Sequence, residues 1–499
     1  MNIELDLLSY TLLTSIIGTW TWKRMHRPKS ADMHPLLLNA QSDVSRLRHV
    51  GESAVYRSRM SPIGSPLCYT FDQTTQTLAD FYRAGAIERD VSATMLVYRG
   101  LRYFGHLVPQ SEDESSFVGI YGKNSLTCHC NGLVTVPMSS NAPSSHVVHT
   151  IQQSQLRLLV IDSELLDEVI GSLKGTSLKY IVCIGESVKK PSCSSLEIIT
   201  FEDLETIGKS HSYEPIQLSP NDMASIYFKN VWSYSLALPP GKRFTKKDCL
   251  MLNLPLGDLF GYIMVAVITK TGGSIVFTDN HSDDSIFALA QQIKPTSIVS
   301  SPLFYRKLKQ HVYNQYGNSF LFKRGYKVKK EEYMNQGVLV SDCKYDVLVF
   351  NRIRQALFGG NLRVIYIDND DAADATLAEF LRIVMSAQVL QAFNTTETAS
   401  AMTLSVFYDY SPDPHFRGAP LPCNEMKVVD VPELCLYSSD LPNPRGELWI
   451  RGNNVFKGYY GDEEATDEAL DIDGWFMTGL MCEILPNGTL KSLGKRSCY

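Results

Sequence analysis

Short runs of apolar residues, separated by helical patterns, dominate the chain from Ser116 onward. Phe117–Tyr121 (FVGIY), Gly132–Pro137 (GLVTVP), Leu156–Asp162 (LRLLVID) and Lys179–Gly185 (KYIVCIG) are continuous enough in Val, Ile and Leu to predict buried strands. Ser163–Leu173 predicts a helix, with Ser163 at its start and Glu164 in its first turn. Gly273–Thr278, Thr296–Ser300, Arg363–Ile367 and Gln388–Phe393 predict further strands. Asp374–Met385 places Leu377, Phe380, Leu381 and Val384 on one helical face. Strands alternating with helices imply an α/β fold with parallel-rich sheets flanked by helices. Gly85–Gly105 shows neither period, and Pro35–Pro66 reads as a turn-rich lead-in. The basic run Lys323–Lys330 (KRGYKVKK), next to Glu331 and Glu332, reads as a solvated face near a surface loop, with a lipid-headgroup or partner patch as the other reading.

The first thirty residues break this pattern. Leu7–Trp22 (LLSYTLLTSIIGTWTW) carries no charge, ends in two tryptophans and runs into Lys23, Arg24, Arg27 and Lys29. Interfacial tryptophan followed by cations predicts a membrane anchor with its flank in the cytosol. The run is shorter than the ~20 residues that span a bilayer comfortably, so a tilted or interfacial helix also fits. A buried amphipathic helix and a cleaved targeting segment are the alternatives, although a signal peptide would put its charge first. The expected organisation is an anchor and flank over 1–30 and one large multi-lobed domain over 31–499.

Composition changes the picture little. Hydrophobic residues at 44 % and charged residues at 20 % suit a globular chain of 499 residues, and a net charge of −6 argues against nucleic acid as a partner. Eleven cysteines without paired spacing suit a reducing compartment. Cys128-His129-Cys130 lacks the second Cys/His pair that a zinc site needs. The chain has no nucleophile-elbow pattern, so a hydrolase is unsupported.

The strongest motif is Pro444–Leu490, which reads PRGELWIRGNNVFKGYYGDEEATDEALDIDGWFMTGLMCEILPNGTL. It resembles the closing segment of the large domain of the long-chain fatty acyl-CoA synthetases, in the AMP-binding, acyl-adenylate-forming superfamily. The resemblance covers roughly Ser53 to Leu493 and is strongest after Phe350. It implies ATP, magnesium and CoA as cofactors, a long-chain fatty acid as substrate, and attack of the carboxylate on the α-phosphate of ATP. Such a protein is expected on the cytosolic face of an intracellular membrane, endoplasmic reticulum or peroxisome.

Gln391–Thr398 (QAFNTTET) stands where the family has a pattern close to QGYGxTET. The resemblance makes Thr396 the phosphate-binding hydroxyl and Glu397 the magnesium carboxylate, an oxygen ligand suited to a hard cation. Ala392 and Asn394 replace the family's flanking glycines, and the alanine methyl is expected to narrow the base pocket.

Other positions depart further. After Asp222–Tyr227 (DMASIY), the phosphate loop is replaced by Phe228–Gly241 (FKNVWSYSLALPPG), whose bulky residues cannot cradle phosphate as glycines do. Gly257 and Asp258 replace an Ala-His pair, and Asp368–Asp371 (DNDD) puts acid where adenine would lie. Leu480 stands at the position of the ribose-clamping aspartate in Thr-Gly-Asp, and Gly494-Lys495-Arg496 at the hinge. The family's small C-terminal domain supplies a catalytic lysine, and a chain ending at Tyr499 is expected to lack that lid. These departures predict a catalytically impaired ligase-like protein that binds lipid or a partner at a membrane. The alternatives are an active ligase using atypical residues and, because the departures are abrupt and local, a mis-assembled gene product.

Overall fold

The computed structural model describes residues 40–45, 49–67, 97–107 except 98, 117–121, 133–138, 142–185 except 174, 196–213, 243–254, 259–278, 283–336, 343–369 and 375–496 except 412 and 414. The expected anchor at Leu7–Trp22, its basic flank, the Cys128–Cys130 cluster and Phe228–Gly241 lie outside these residues.

The lead-in forms two short strands, β1 (Ser42–Val44) and β2 (Tyr56–Ser58), paired antiparallel. Five strands then build a separate sheet: β3 (Phe117–Tyr121), β4 (Val134–Met138), β5 (Leu158–Asp162), β6 (Tyr180–Ile184) and β7 (Glu197–Thr200), ordered β4-β3-β5-β6-β7. Every pairing in it is parallel. β5 and β6 are buried along nearly their whole length, as strands covered on both faces must be. One face meets helices α1 (Ser144–Gln153) and α2 (Ser163–Val169) through Val147, Ile151, Leu166 and Val169. The other carries α3 (Phe201–Ser210), which opens with a capping box between Thr200 and Asp203. Residues 99–104 are also helical, and Leu101 and Phe104 join Val97 in the core beneath this sheet. That 3.6-residue spacing sits inside the stretch that shows no period, where Arg99 and Gly100 interrupt it.

The second sheet has thirteen strands among the described residues. Its parallel half is β9 (Ser274–Phe277), β8 (Cys249–Asn253), β10 (Ser297–Ser300), β11 (Val364–Asn369) and β12 (Gln388–Thr395), side by side in the order β9-β8-β10-β11-β12. Helices α4 (Leu259–Thr271), α5 (Asp283–Ile293), α6 (Pro302–Tyr316), α7 (Phe320–Gln336), α8 (Asn351–Phe358) and α9 (Ala375–Met385) accompany it. From β12 the sheet turns antiparallel and continues in the order β13 (Ser400–Leu404), β14 (Phe416–Pro420), β18 (Leu490–Lys495), β17 (Phe476–Ile484), β16 (Arg445–Gly452) and β15 (Asn424–Val429). β2 pairs with β15 and β1 forms the edge beyond it, so the lead-in pairs with the C-terminal third of the chain. The chain is thus α/β, as the alternating pattern predicts.

The basic run departs from its reading. Lys323–Lys330 lies within helix α7, and one of its lysines is buried. Lys329 bonds Asp346 at 2.8 Å and Ser386 Oγ at 2.9 Å, while Arg354 reaches the same two groups. Asp346 opens a π-helical turn, Asp346–Phe350, that leads into α8, so these ion pairs tie α7, α8 and α9 together. Burial pushes the Lys329 ammonium down to about 8 despite its carboxylate partner.

Candidate functional site

The carboxyl ends of parallel strands are where open α/β sheets receive ligands, and the Gln391–Thr398 motif sits there. β12 pairs with β11 so that Asp368 lies opposite Ala392 and Asn369 opposite Phe393. Two residues of the acidic DNDD turn therefore flank the motif on the neighbouring strand; Asp370 and Asp371 are outside the described residues. A bulge between Phe393 and Asn394 shifts the register of β12 against β13, and a tight turn through Thr396–Ala399 reverses the chain into β13.

Ala392 is fully buried among Leu390, Ala401 and Leu404. Its methyl group belongs to the core and not to the narrowed base pocket that the sequence predicts. Thr396 and Glu397 remain on the accessible side of the turn. The Thr396 hydroxyl donates to Glu397 Oε2 at 3.0 Å, and the phenol of Tyr459 donates to Oε1 at 2.9 Å. The backbone is held as well: Phe456 N–H donates to the Glu397 carbonyl at 2.8 Å, and Asn454 Nδ2 donates to that of Thr398 at 3.0 Å.

Sequence reasoning missed Tyr459. It stands in the FKGYYGDEEAT segment that carries the resemblance, 62 residues after its partner, and nothing in its spacing announces a contact with Glu397. Thr466 Oγ1 accepts from Tyr459 N–H at 2.9 Å, and the Phe456 ring packs edge-on against the tyrosine at 4.8 Å. Thr466 lies in helix α10 (Glu463–Ala469), which starts at Asp462, whose side chain caps Ala465 N–H. Burial, and then the hydrogen bond to Glu397 with the charge behind it, push the Tyr459 phenol up to about 12. It therefore keeps its proton, and its role as donor, throughout the neutral range.

The second part of the site is a bulge in β17. Gly479 takes φ +67° where the register between β16 and β17 shifts, a conformation glycine adopts at little cost. Its N–H donates to Glu447 Oε1 at 3.0 Å, and the Thr478 hydroxyl donates to the Leu448 carbonyl at 2.7 Å. The next residue, Leu480, is only 7 % exposed and shares one buried cluster with Phe393, Met402, Met426, Leu448 and Ile450. The two motifs thus meet, through Phe393 on one and Leu480 on the other. Arg496 ion-pairs with Glu433 and approaches Glu447 at 3.6 Å, so the hinge segment Gly494-Lys495-Arg496 is tied to the same region.

Residues 227–460 match the family described as AMP-binding enzyme. Long-chain-fatty-acid–CoA ligase 5 of Rattus norvegicus is 26 % identical over 424 residues, covering 77 % of this chain and 60 % of the relative. Long-chain-fatty-acid–CoA ligase 1 of Homo sapiens is 24 % identical over 531 residues, covering 94 % of this chain and 73 % of the relative. The chain carries an AMP-binding domain and is a homologue of the long-chain-fatty-acid–CoA ligases. It spans about three fifths of the length of the rat and mouse ligases that it matches. Among solved structures, a long-chain-fatty-acid–CoA ligase from Archaeoglobus fulgidus superposes with a TM-score of 0.59 at 17 % identity, covering 86 % of each chain. The N-terminal domain of FACL13 from Mycobacterium tuberculosis superposes at 0.60 and 14 %, covering 83 % of this chain and 99 % of that one. These likenesses establish the fold.

The residues of this ligase homologue fit the implied groups unequally. Magnesium is commonly held by one or two carboxylates together with substrate phosphates, and Glu397, on an accessible turn beside the Thr396 hydroxyl, suits that role. No cluster of three or more His, Cys, Asp or Glu side chains able to hold a metal alone occurs among the described residues. The ribose position does not fit, because Leu480 offers no acceptor and is turned into the core.

Proposed function

We propose that this homologue is a long-chain fatty acid–CoA ligase-like protein of fatty-acid metabolism with an impaired nucleotide site, acting at a membrane as a lipid- or partner-binding pseudoenzyme. One observation carries the reading: Leu480, at the ribose-clamp position, is part of the apolar core beneath the motif turn. Restoring an acceptor there would require a carboxylate inside that cluster. The sequence of Phe228–Gly241 supports it, since Trp232, Tyr234 and Leu236 replace the small residues of a phosphate loop. Fatty acid remains the proposed ligand, because an apolar acyl site does not depend on phosphate contacts and the curated relatives are named for long-chain fatty acids.

A second reading is an active ligase using ATP, magnesium and CoA through atypical residues. It is favoured by the placement of Thr396 and Glu397 at the carboxyl end of β12, and by structural relatives described as bound to ATP or AMP. Palmitoyl-CoA formation and fatty-acid-dependent pyrophosphate release by the purified chain separate the two. The pseudoenzyme reading predicts neither; robust acyl-CoA formation abolished by Glu397→Ala would establish the ligase.

Membrane association is proposed from Leu7–Trp22 and its basic flank. Among the described residues, no helix is long and apolar enough to cross a bilayer.

A further inference from the structure

Helix α7 and the π-helical turn Asp346–Phe350 lie against each other so closely that a Cβ at Gly325 would stand 2.9 Å from that of Tyr345. Phe322 and Phe350 seal the contact with ring centroids 5.8 Å apart, and the Lys329–Asp346 ion pair locks it from within. The outward side of this pair is unusual. Phe320 is 77 % exposed and Leu321 42 %, while Val347 is 61 % exposed and Leu348 49 %. Four large apolar side chains thus face water on two packed elements, two on each.

The charges around them have one dominant sign. Lys323, Arg324 and Lys327 are exposed on α7, and Lys344 and Arg352 flank the exposed pair on the π-helical turn. Lys327 lies 3.9 Å from Glu331, whereas no carboxylate partner is recorded for Lys323, Arg324, Lys344 or Arg352 among the described residues. A cationic cluster on a chain of net charge −6 is a local feature that the overall composition does not produce.

We infer that this face is an interfacial membrane-docking surface for a bilayer carrying anionic headgroups. Phe320, Leu321, Val347 and Leu348 enter the headgroup–acyl boundary, and the surrounding cations meet the lipid phosphates and carboxylates. The ion pair beneath gives the surface a rigid base, so docking costs little ordering. The surface is distinct from the nucleotide site and from Leu7–Trp22, and stands whether or not the chain makes acyl-CoA.

The test is hydrogen–deuterium exchange of the full chain with vesicles of phosphatidylcholine alone or mixed with phosphatidylserine. Because the readout is local, attachment through residues 7–22 does not produce it. Protection over 320–324 and 344–352 is expected to rise with the phosphatidylserine vesicles and not with phosphatidylcholine alone. Combining Lys323→Gln, Arg324→Gln and Lys344→Gln, all exposed and so harmless to folding, should raise the vesicle concentration needed by about two orders of magnitude. Phe320→Ser with Val347→Ser should abolish the protection while leaving the melting temperature unchanged. Unaltered exchange at these segments in phosphatidylserine vesicles would overturn the inference, as would protection that survives the charge-removing variant. Protection by a soluble acidic protein but not by vesicles would overturn it in favour of a protein partner.

Discussion

Tyr459 donates its phenolic hydrogen to Glu397 Oε1 at 2.9 Å, so the carboxylate that the family resemblance assigns to magnesium is already engaged by a side chain. With the Thr396 hydroxyl on Oε2, both carboxylate oxygens have protein donors. A cation reaching Glu397 competes with these donors for the charge on the carboxylate.

Tyr459→Phe is therefore expected to strengthen divalent-metal binding. A hydrogen bond to a charged group contributes about 1.5–3 kcal/mol, of which hydration of the released carboxylate returns part, leaving roughly a tenfold gain. Manganese titration followed by electron paramagnetic resonance reads this directly. Equal or weaker affinity in the variant would show that the tyrosine supports the cation site.

Leu480→Asp is expected to cost stability without restoring nucleotide binding. Removing a buried leucine forfeits about 1.5–3 kcal/mol, and an unpaired carboxylate among Phe393, Met402 and Leu448 adds to that. Chemical denaturation should show a loss of about 3 kcal/mol or more. A stable variant with improved MgATP affinity would mean that residue 480 can turn outward to a ribose.

The α/β class and the strands β3–β6 and β9–β12 were legible because buried parallel strands are continuous apolar runs, and β10 is buried along all four residues; β7, β8 and the antiparallel strands β13–β18 were not predicted. The sequence also carried Thr396 and Glu397, through a motif that keeps its order. It could not carry the Tyr459–Glu397 contact or the placement of Ala392, because both depend on which long-range segments pack over the turn. The basic run misled for a related reason. Its charge pattern is that of a solvated face, yet Lys329 points inward to Asp346, and only the packing of α7 on α9 and the π-helical turn decides that.

That buried cluster gives an asymmetric prediction. Asp346→Ala leaves Lys329 and Arg354 without a counter-charge and should cost about 3–5 kcal/mol. Lys329→Met leaves Asp346 paired with Arg354 and should cost far less. With its folded value depressed to about 8 from 10.5, Lys329 binds fewer protons folded than unfolded between those values. Stability from this group therefore rises with pH from about 8 to 10.5, and the rise should vanish in Lys329→Met. Denaturant midpoints of both variants across that range check the order and the slope.

The proposed anchor predicts that the full chain pellets with membranes and resists alkaline carbonate, while a chain starting at Ser30 does so far less. Protease protection should place the body on the cytosolic side. A full chain found wholly in the soluble fraction would remove the anchor.

The central claim is that the nucleotide site is impaired, and calorimetric titration of the purified chain with MgATP tests it most directly. Loss of the ribose clamp and of one phosphate contact, at ~1.5–3 kcal/mol each, weakens binding by about two to four orders of magnitude relative to a working synthetase. The account predicts millimolar or weaker affinity, little changed by Glu397→Ala; micromolar affinity lost in that variant would contradict it.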